Sequence, residues 1–266
     1  MCIPLVDRVQ LDLGSECNID YFFNNNDRFD FLINCAAYTA VDNAEEDKEL
    51  ANQVNHLAVK KLADIAKEQR AILIHISTDY VFDGACDRPY AETCATSPFN
   101  VYGETKLAGE KALQGAMPVN GVIIRTSWLY SEYGNNFVKT MLKLGAERAE
   151  LNIVSDQVSS PTYAADLAWS ILVIIECWKA GQLTQVYHYS NKGDVSWYEF
   201  AEEIVKTAEF SCKVHPIKTL QYPTPAKRPR NSSIEKGKIL KSFDVNMLGW
   251  KQSLKFCLRI LRREQE

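Results

Sequence analysis

The stretch Ala71-Ile72-Leu73-Ile74-His75-Ile76-Ser77-Thr78-Asp79-Tyr80-Val81-Phe82 decides the fold of this chain. Its first six residues form a short, β-rich apolar run with turn residues beyond it, the pattern of a strand buried in a parallel sheet. Ser77 and Thr78 then stand at the carboxyl end of that strand, where open α/β sheets place their ligands. Upstream, Phe31–Cys35 reads as another strand ending in Ala36-Ala37, and residues 46–68 carry helical spacing through Leu50, Val54, Leu57, Val59, Leu62 and Ile65. Downstream, residues 98–115 follow helical spacing, with Asn100 as cap and Gly115 as stop, and Gly121–Arg125 is a further strand. Strands alternating with helices predict an α/β fold, a doubly wound parallel sheet. Helices over 135–148, 163–179 and 197–208, a short strand over 186–190 and a rigid, helix-free segment over 222–229 complete the pattern.

Within the Ser77–Lys106 stretch lies a chemical pair. Tyr102 and Lys106 are four residues apart and so share one helix face. An ammonium there would lower the phenol pKa, about 10 in model peptides, and let Tyr102 exchange a proton with a carbonyl or alcohol oxygen. A hydroxyl held opposite, from Thr78 or Ser77, could hydrogen-bond the same oxygen. Taken alone, tyrosine and lysine at this spacing occur in many helices by chance; the flanking strand and caps are what single this pair out.

Composition sets the frame. A chain of 266 residues, 46% hydrophobic, can bury a large core. The net charge of −4 conceals an asymmetry, for residues 227–266 carry 11 Lys/Arg against 4 Asp/Glu while the remainder is acidic. Such a segment suits an anionic ligand, or a solvated helix face over 251–263 with Leu254, Leu258 and Leu261 packed inward, which is the reading preferred here. Eight cysteines without CxxC spacing read as reduced, mostly buried thiols of a cytoplasmic protein, and no signal peptide is evident. The most apolar run, 167–175, is far shorter than the roughly 20 residues of a membrane helix and reads as a core helix. No metal site, nucleic-acid partner or membrane partner is expected.

Five blocks in order carry a family resemblance: Asn34-Cys35-Ala36-Ala37-Tyr38-Thr39-Ala40-Val41-Asp42, Ser77 to Gly84, Asn100-Val101-Tyr102-Gly103-Glu104-Thr105-Lys106-Leu107-Ala108-Gly109-Glu110, Arg125-Thr126-Ser127-Trp128, and Tyr222 to Pro229. From about Asp12 onward the chain resembles the extended short-chain dehydrogenase/reductase family, and within it the branch that reduces dTDP-4-dehydro-L-rhamnose to dTDP-L-rhamnose for cell-surface polysaccharides. The resemblance implies a Rossmann-like NAD(P)-binding domain over 1–160. It also implies a mainly substrate-binding region over 161–266, some of whose segments return to the sheet. It implies NADPH or NADH as hydride donor, a nucleotide-sugar substrate, and room for a homodimer and for magnesium.

Carried over by position, the resemblance makes Tyr102 the proton donor, Lys106 the holder of the nicotinamide ribose, and Thr78 the third catalytic group. Asp79, Trp128 and Arg228 would contact substrate; Asp12, Leu13, Ala37, Tyr38, Thr39 and Ile76 would line the cofactor. Bland rivals stand beside these roles. Trp128 could be core, Arg228 a surface arginine, Asp42 and Glu45 first-turn acids, and His75 and His188 satisfied polar groups rather than metal ligands. No GxGxxG or GxxGxxG precedes Asn34. Against the family, about thirty residues bearing the first strand, phosphate-binding glycines and helix are missing, so weak cofactor binding is expected. A non-catalytic regulatory subunit, like that of methionine adenosyltransferase, is the alternative function, and an epimerase or dehydratase of the same family ranks lower.

Overall fold

The computed structural model describes residues 3–263. Its centre is a parallel sheet of four strands in the order β1-β2-β3-β8: β1 (Phe31–Asn34), β2 (Ile72–Thr78), β3 (Gly121–Thr126) and, later in the chain, β8 (Gln185–His188). The registers pair Ile74 with Ile33 and with Val122, and Ile124 with Tyr187. Alternation along β2 sorts the two faces, because successive side chains of a strand point oppositely. Leu73 joins Ile123 under α1 (Glu16–Asn24), α3 (Ala58–Gln69) and the end of α4 (Val101–Ala116). Ile72 and Ile74 join Val122, Ile124 and Tyr187 under α6 (Ala164–Cys177) and α8 (Gly237–Ser242). Helices on both faces of a parallel sheet are the doubly wound architecture that the alternating pattern predicts.

A second core, off the sheet, packs α5 (Phe137–Glu147), α7 (Trp197–Thr207) and α9 (Trp250–Arg263) around Tyr130, Phe200, Ile204 and Leu254. A parallel pair, β5 (Glu150–Val154) with β10 (Lys213–Ile217), borders it. Short ladders of β4 (Leu129–Tyr130) with β7 (Thr162–Tyr163), and of β6 (Val158–Ser159) with β9 (Val195–Ser196), connect it to the loops after the main sheet. In α9 the leucines at 254, 258 and 261 are buried while the basic residues between them are exposed, as expected of a solvated face.

Several expectations need correction. The helix read over 46–68 is not regular: α2 (Lys48–Asn52) passes through a π turn, Gln53–Leu57, before α3. Gly115 does not stop α4, which runs to Ala116 and ends at Met117. The thiols are not mostly buried; among the described residues Cys17, Cys35 and Cys177 are exposed, and only Cys212 and Cys257 are buried. All of these are free; Cys2 lies outside the described residues. No helix among them is long and apolar enough to cross a membrane.

Candidate active site

The site gathers at the carboxyl ends of β2 and β3. Helix α4 begins at Asn100, whose Oδ1 accepts the Gly103 N–H at 2.8 Å and whose Nδ2 donates to the Lys227 carbonyl at 2.8 Å. The start of α4 lies against the single 3-10 turn Asp79–Val81 that follows Thr78, so closely that a Cβ on Gly103 would collide with the Tyr80 carbonyl. This contact explains a glycine between Tyr102 and Lys106. It brings the Tyr102 ring edge-on to Tyr80, 5.7 Å between centroids, with the Thr78 hydroxyl facing the phenol. Thr78 Oγ1 accepts the Tyr80 N–H at 3.1 Å and donates to Asp79 Oδ1 at 3.1 Å.

Four-residue spacing places Tyr102, Lys106 and Glu110 on one face of α4, opposite the β2 residues His75 and Ser77. Lys106 is buried; its Nζ donates to the Ile76 carbonyl at 2.6 Å and lies 3.2 Å from His75 Nε2. Ser77 donates to Glu110 at 2.5 Å, so its hydroxyl turns from the phenol and leaves Thr78 as the one beside it. Glu110 also receives Arg125 in a two-point pair, at 2.9 and 2.6 Å, and this buried pair ties α4 to β3.

The charge states differ from expectation. Lys106 does not depress Tyr102: burial pushes the phenol up to about 12, with Thr78 opposing and Asp79 adding. The lysine instead spends its contacts on Ile76 and His75, and burial brings its own pKa down to about 8. Asp79, enclosed with the hydroxyls of Ser232, Thr78 and Ser159, is raised by burial to about 6. Its carboxylate is thus turned into the protein rather than presented to a substrate.

Ala37, Tyr38 and Thr39, expected to line the cofactor, form the loop after β1. Asn55, buried in the π turn, holds both Tyr38 backbone groups, accepting at 2.8 Å and donating at 3.1 Å, and also donates to Thr105 of α4 at 3.2 Å. Gly109 permits this, since a Cβ there would collide with the Asn55 carbonyl. Asp12 accepts the Gly14 N–H at 2.9 Å, and Leu13 is a core residue against Ile19 and Val59, so its side chain is not exposed to a nucleotide. The turn at Gly14, the only glycine before Gly84, therefore has its N–H filled by a carboxylate, a poor cradle for a diphosphate. The residues present fit a nicotinamide and its ribose: a buried lysine and a phenol on α4, Ile76 near the end of β2, and the backbone loop after β1 fixed by Asn55.

Trp128, expected to contact substrate, sits at φ +45° and stacks on Trp197, 3.5 Å between centroids and 10° between planes. Both rings are half-buried, so the core and contact readings of Trp128 are compatible. Arg228 closes its fork on Asp42, at 2.9 and 2.7 Å, and that guanidinium holds the Asp42 carboxyl below its usual range. The fork expected for a substrate diphosphate is thereby taken. Asp42 and Glu45 do stand at the start of a short 3-10 turn, Asn43–Glu45, as expected, and Glu45 in addition accepts the Val101 N–H at 3.0 Å and so caps α4. His188 is buried beside the backbone of Tyr90 and Glu235, which meets its ring nitrogens with poor hydrogen-bond geometry, and burial with the Arg125 charge lowers its pKa to about 3. A groove of about 410 Å³ between α6 and α9, lined by Asp166, Trp169 and Phe256, contains none of these groups.

Sequence reasoning missed Asn55, Glu110, Arg125 and Trp197. Glu110 had a signal, being eight residues from Tyr102 and hence on its face; the others meet the site only through tertiary packing.

A family model described as the RmlD substrate binding domain matches residues 2–263. The dTDP-4-dehydrorhamnose reductase of Aggregatibacter actinomycetemcomitans is 41% identical over 260 residues, 94% of this chain and 87% of the relative. That of Escherichia coli K12 is 42% identical, covering 88% and 80%. Among solved structures, the dTDP-4-dehydrorhamnose reductase of Clostridium acetobutylicum superposes with a TM-score of 0.90 at 40% identity, over 97% of this chain and 89% of that one. The Bacillus anthracis reductase, solved in complex with NADP, gives 0.89 at 38% identity over 96% and 89%.

Proposed function

The chain belongs to the RmlD substrate-binding-domain family, and from that membership we infer that it is an oxidoreductase reducing dTDP-4-dehydro-L-rhamnose to dTDP-L-rhamnose with a nicotinamide cofactor. The relatives named above are all reductases of this kind, which gives the regulatory-subunit alternative no support. The observation that carries the reading is the Tyr102 phenol facing the Thr78 hydroxyl at the end of β2, with Lys106 buried one turn below.

In this reading the 4-keto oxygen lies between the two hydroxyls. The reduced nicotinamide, when bound, supplies hydride to the carbonyl carbon. Tyr102 supplies the proton; a phenol pushed up to about 12 is a donor throughout the neutral range, as the reductive direction requires. Thr78, anchored by the Tyr80 N–H, orients the same oxygen. Lys106, Ile76 and the 37–39 loop would hold the nicotinamide ribose, and the Trp128–Trp197 stack would form a wall for the sugar nucleotide. The expected boundary at 160 shifts in this reading: the sheet with the helices on it, α6, β8 and α8 included, would supply the cofactor side, and the second core, with β4, α5 and β5 as well as α7 and α9, the substrate side. The protein is proposed to act in the cytoplasm, as a homodimer.

The test is oxidation of NADPH, with NADH as comparison, dependent on the 4-keto sugar nucleotide, with and without EDTA to read any magnesium requirement. Tyr102→Phe should lower turnover by about 10²- to 10⁴-fold, the usual contribution of a positioned proton donor, without changing the melting temperature. Unchanged turnover in that variant would remove Tyr102 from the reaction.

A further inference from the structure

Lys106 ends a hydrogen-bonded chain whose direction can be worked out. It starts at the backbone N–H of Ala36, which donates to Asn34 Oδ1 at 3.1 Å. A backbone N–H can only donate, so this contact fixes which end of the Asn34 amide is oxygen. The amide nitrogen then lies 3.1 Å from His75 Nδ1. A neutral imidazole has one donor and one acceptor nitrogen. With Nδ1 accepting, the ring proton sits on Nε2, and Nε2 faces Lys106 Nζ at 3.2 Å. An ammonium has three donors and no acceptor; a neutral amine can take the Nε2–H and still donate to the Ile76 carbonyl at 2.6 Å.

We propose that Asn34 and His75 are positioning residues that bias Lys106 toward its neutral amine in the ligand-free protein, so that the direction of this chain tunes the charge of the active-site lysine. His75 and Asn34 are themselves buried, and among the described residues the only hydrogen-bond partners of Nζ are His75 Nε2 and the Ile76 carbonyl. The ionisable groups around Nζ are His75 on β2, Cys35 just after β1, and Tyr102 and Glu110 on α4. Cys35 and Glu110 favour the charged lysine, but Glu110 is already paired with Arg125 of β3 and bonded by Ser77. Burial outweighs them and works in the same direction as the chain, and it also keeps His75 neutral.

Asn34→Asp should reverse the chain. A carboxylate accepts from both the Ala36 N–H and His75 Nδ1–H, moving the ring proton to Nδ1. The Nε2 lone pair then receives an ammonium. The inference builds on the proposed catalytic role of Lys106, yet its test needs no turnover. NMR of the full chain carrying ¹⁵N-histidine and ¹³C-lysine, without ligand, should show His75 as the Nε2–H tautomer and Lys106 largely deprotonated at pH 9. Asn34→Asp should give the Nδ1–H tautomer and raise the Lys106 midpoint by about one pH unit or more. The alkaline limb of kcat should shift with it, which a merely structural substitution would not do. A wild-type Nδ1–H tautomer with Lys106 still charged at pH 9 overturns the proposal, and it does so even if the variant fails to fold. An inactive protein with the Nε2–H tautomer would instead refute the reductase reading alone.

Discussion

One helix should answer the same substitution with opposite signs. Gly109 and Gly115 both lie in α4, yet an added Cβ at Gly115 meets nothing within 4 Å. At Gly109 it would overlap the Asn55 carbonyl oxygen, with the carbonyl carbon at 3.3 Å and Val59 Cβ at 3.5 Å. The obstacle is backbone of the π turn, which has no rotamer to adopt, so helix and turn must part by roughly 1 Å to restore ordinary contact. The Asn55–Thr105 bond, already 3.2 Å, would then exceed hydrogen-bond length. Overpacking costs about 1–3 kcal/mol and the lost buried bond about 1 kcal/mol, against about 0.5–1 kcal/mol gained from alanine's helix propensity.

Gly109→Ala should therefore destabilise by about 2–3 kcal/mol, a fall in Tm of roughly 4–10 °C for a chain of this size. Gly115→Ala should raise Tm by roughly 1–2 °C, the low end of the propensity gain because the site is in the last turn. Scanning calorimetry on the two variants reads both signs. The KM for the nicotinamide cofactor should rise in Gly109→Ala alone, since Asn55 also fixes the Tyr38 backbone. Melting of Gly109→Ala within a degree of wild type, or shifts of one sign in both, would refute the close-approach argument.

Three further outcomes follow from the same contacts. Asp79 has a folded pKa of about 6 against 3.8 when exposed, so the native state binds its proton more readily than the unfolded chain. The stability from this preference is full below about pH 4 and lost as pH rises through 6; Asp79→Asn should thus exceed wild type by on the order of 2–3 kcal/mol at pH 7.5, with the gap closing by pH 4 in urea titrations. Glu110→Gln leaves the buried Arg125 charge uncompensated and should cost about 3–5 kcal/mol, and a midpoint shift of under 1 kcal/mol would show the pair to be solvated. Trp197→Ala removes the stack that holds Trp128 at its left-handed φ, so KM for the sugar nucleotide should rise severalfold, consistent with a stacking loss of about 0.5–1.5 kcal/mol; an unchanged KM would place the indole pair outside the substrate site.

How much of this was legible in the sequence depended on range. The apolar run at 71–76 specified a buried parallel strand because both its faces are covered, and four-residue spacing put Tyr102 and Lys106 together without tertiary information. The π turn at 53–57 was not legible, because its residues keep helical spacing and the extra residue per turn answers a demand from outside, the approach of Gly109. The β5–β10 pair joins segments about sixty residues apart, which local pattern cannot register. Gly115 misled for a related reason: glycine marks a stop when it takes a left-handed conformation, and here it does not, so the helix continues through it.

The largest difference concerned charge, and it follows from burial rather than from placement. Spacing alone suggests a lysine ammonium lowering a tyrosine pKa, which presumes that the ammonium is cheap to keep. In a site where Lys106 is 1% exposed and His75 fully enclosed, an unpaired charge is costly, and the groups respond by neutralising. The Arg125 guanidinium beside them has a carboxylate of its own in Glu110. Tyr102 therefore keeps its proton in the resting protein, and the pull of Glu110 and Cys35 on Lys106 does not offset its burial. The proposed reduction needs that resting state: a phenol that still bears the proton it would give to the substrate oxygen, beside a lysine that can take up a proton and so balance the phenolate left behind.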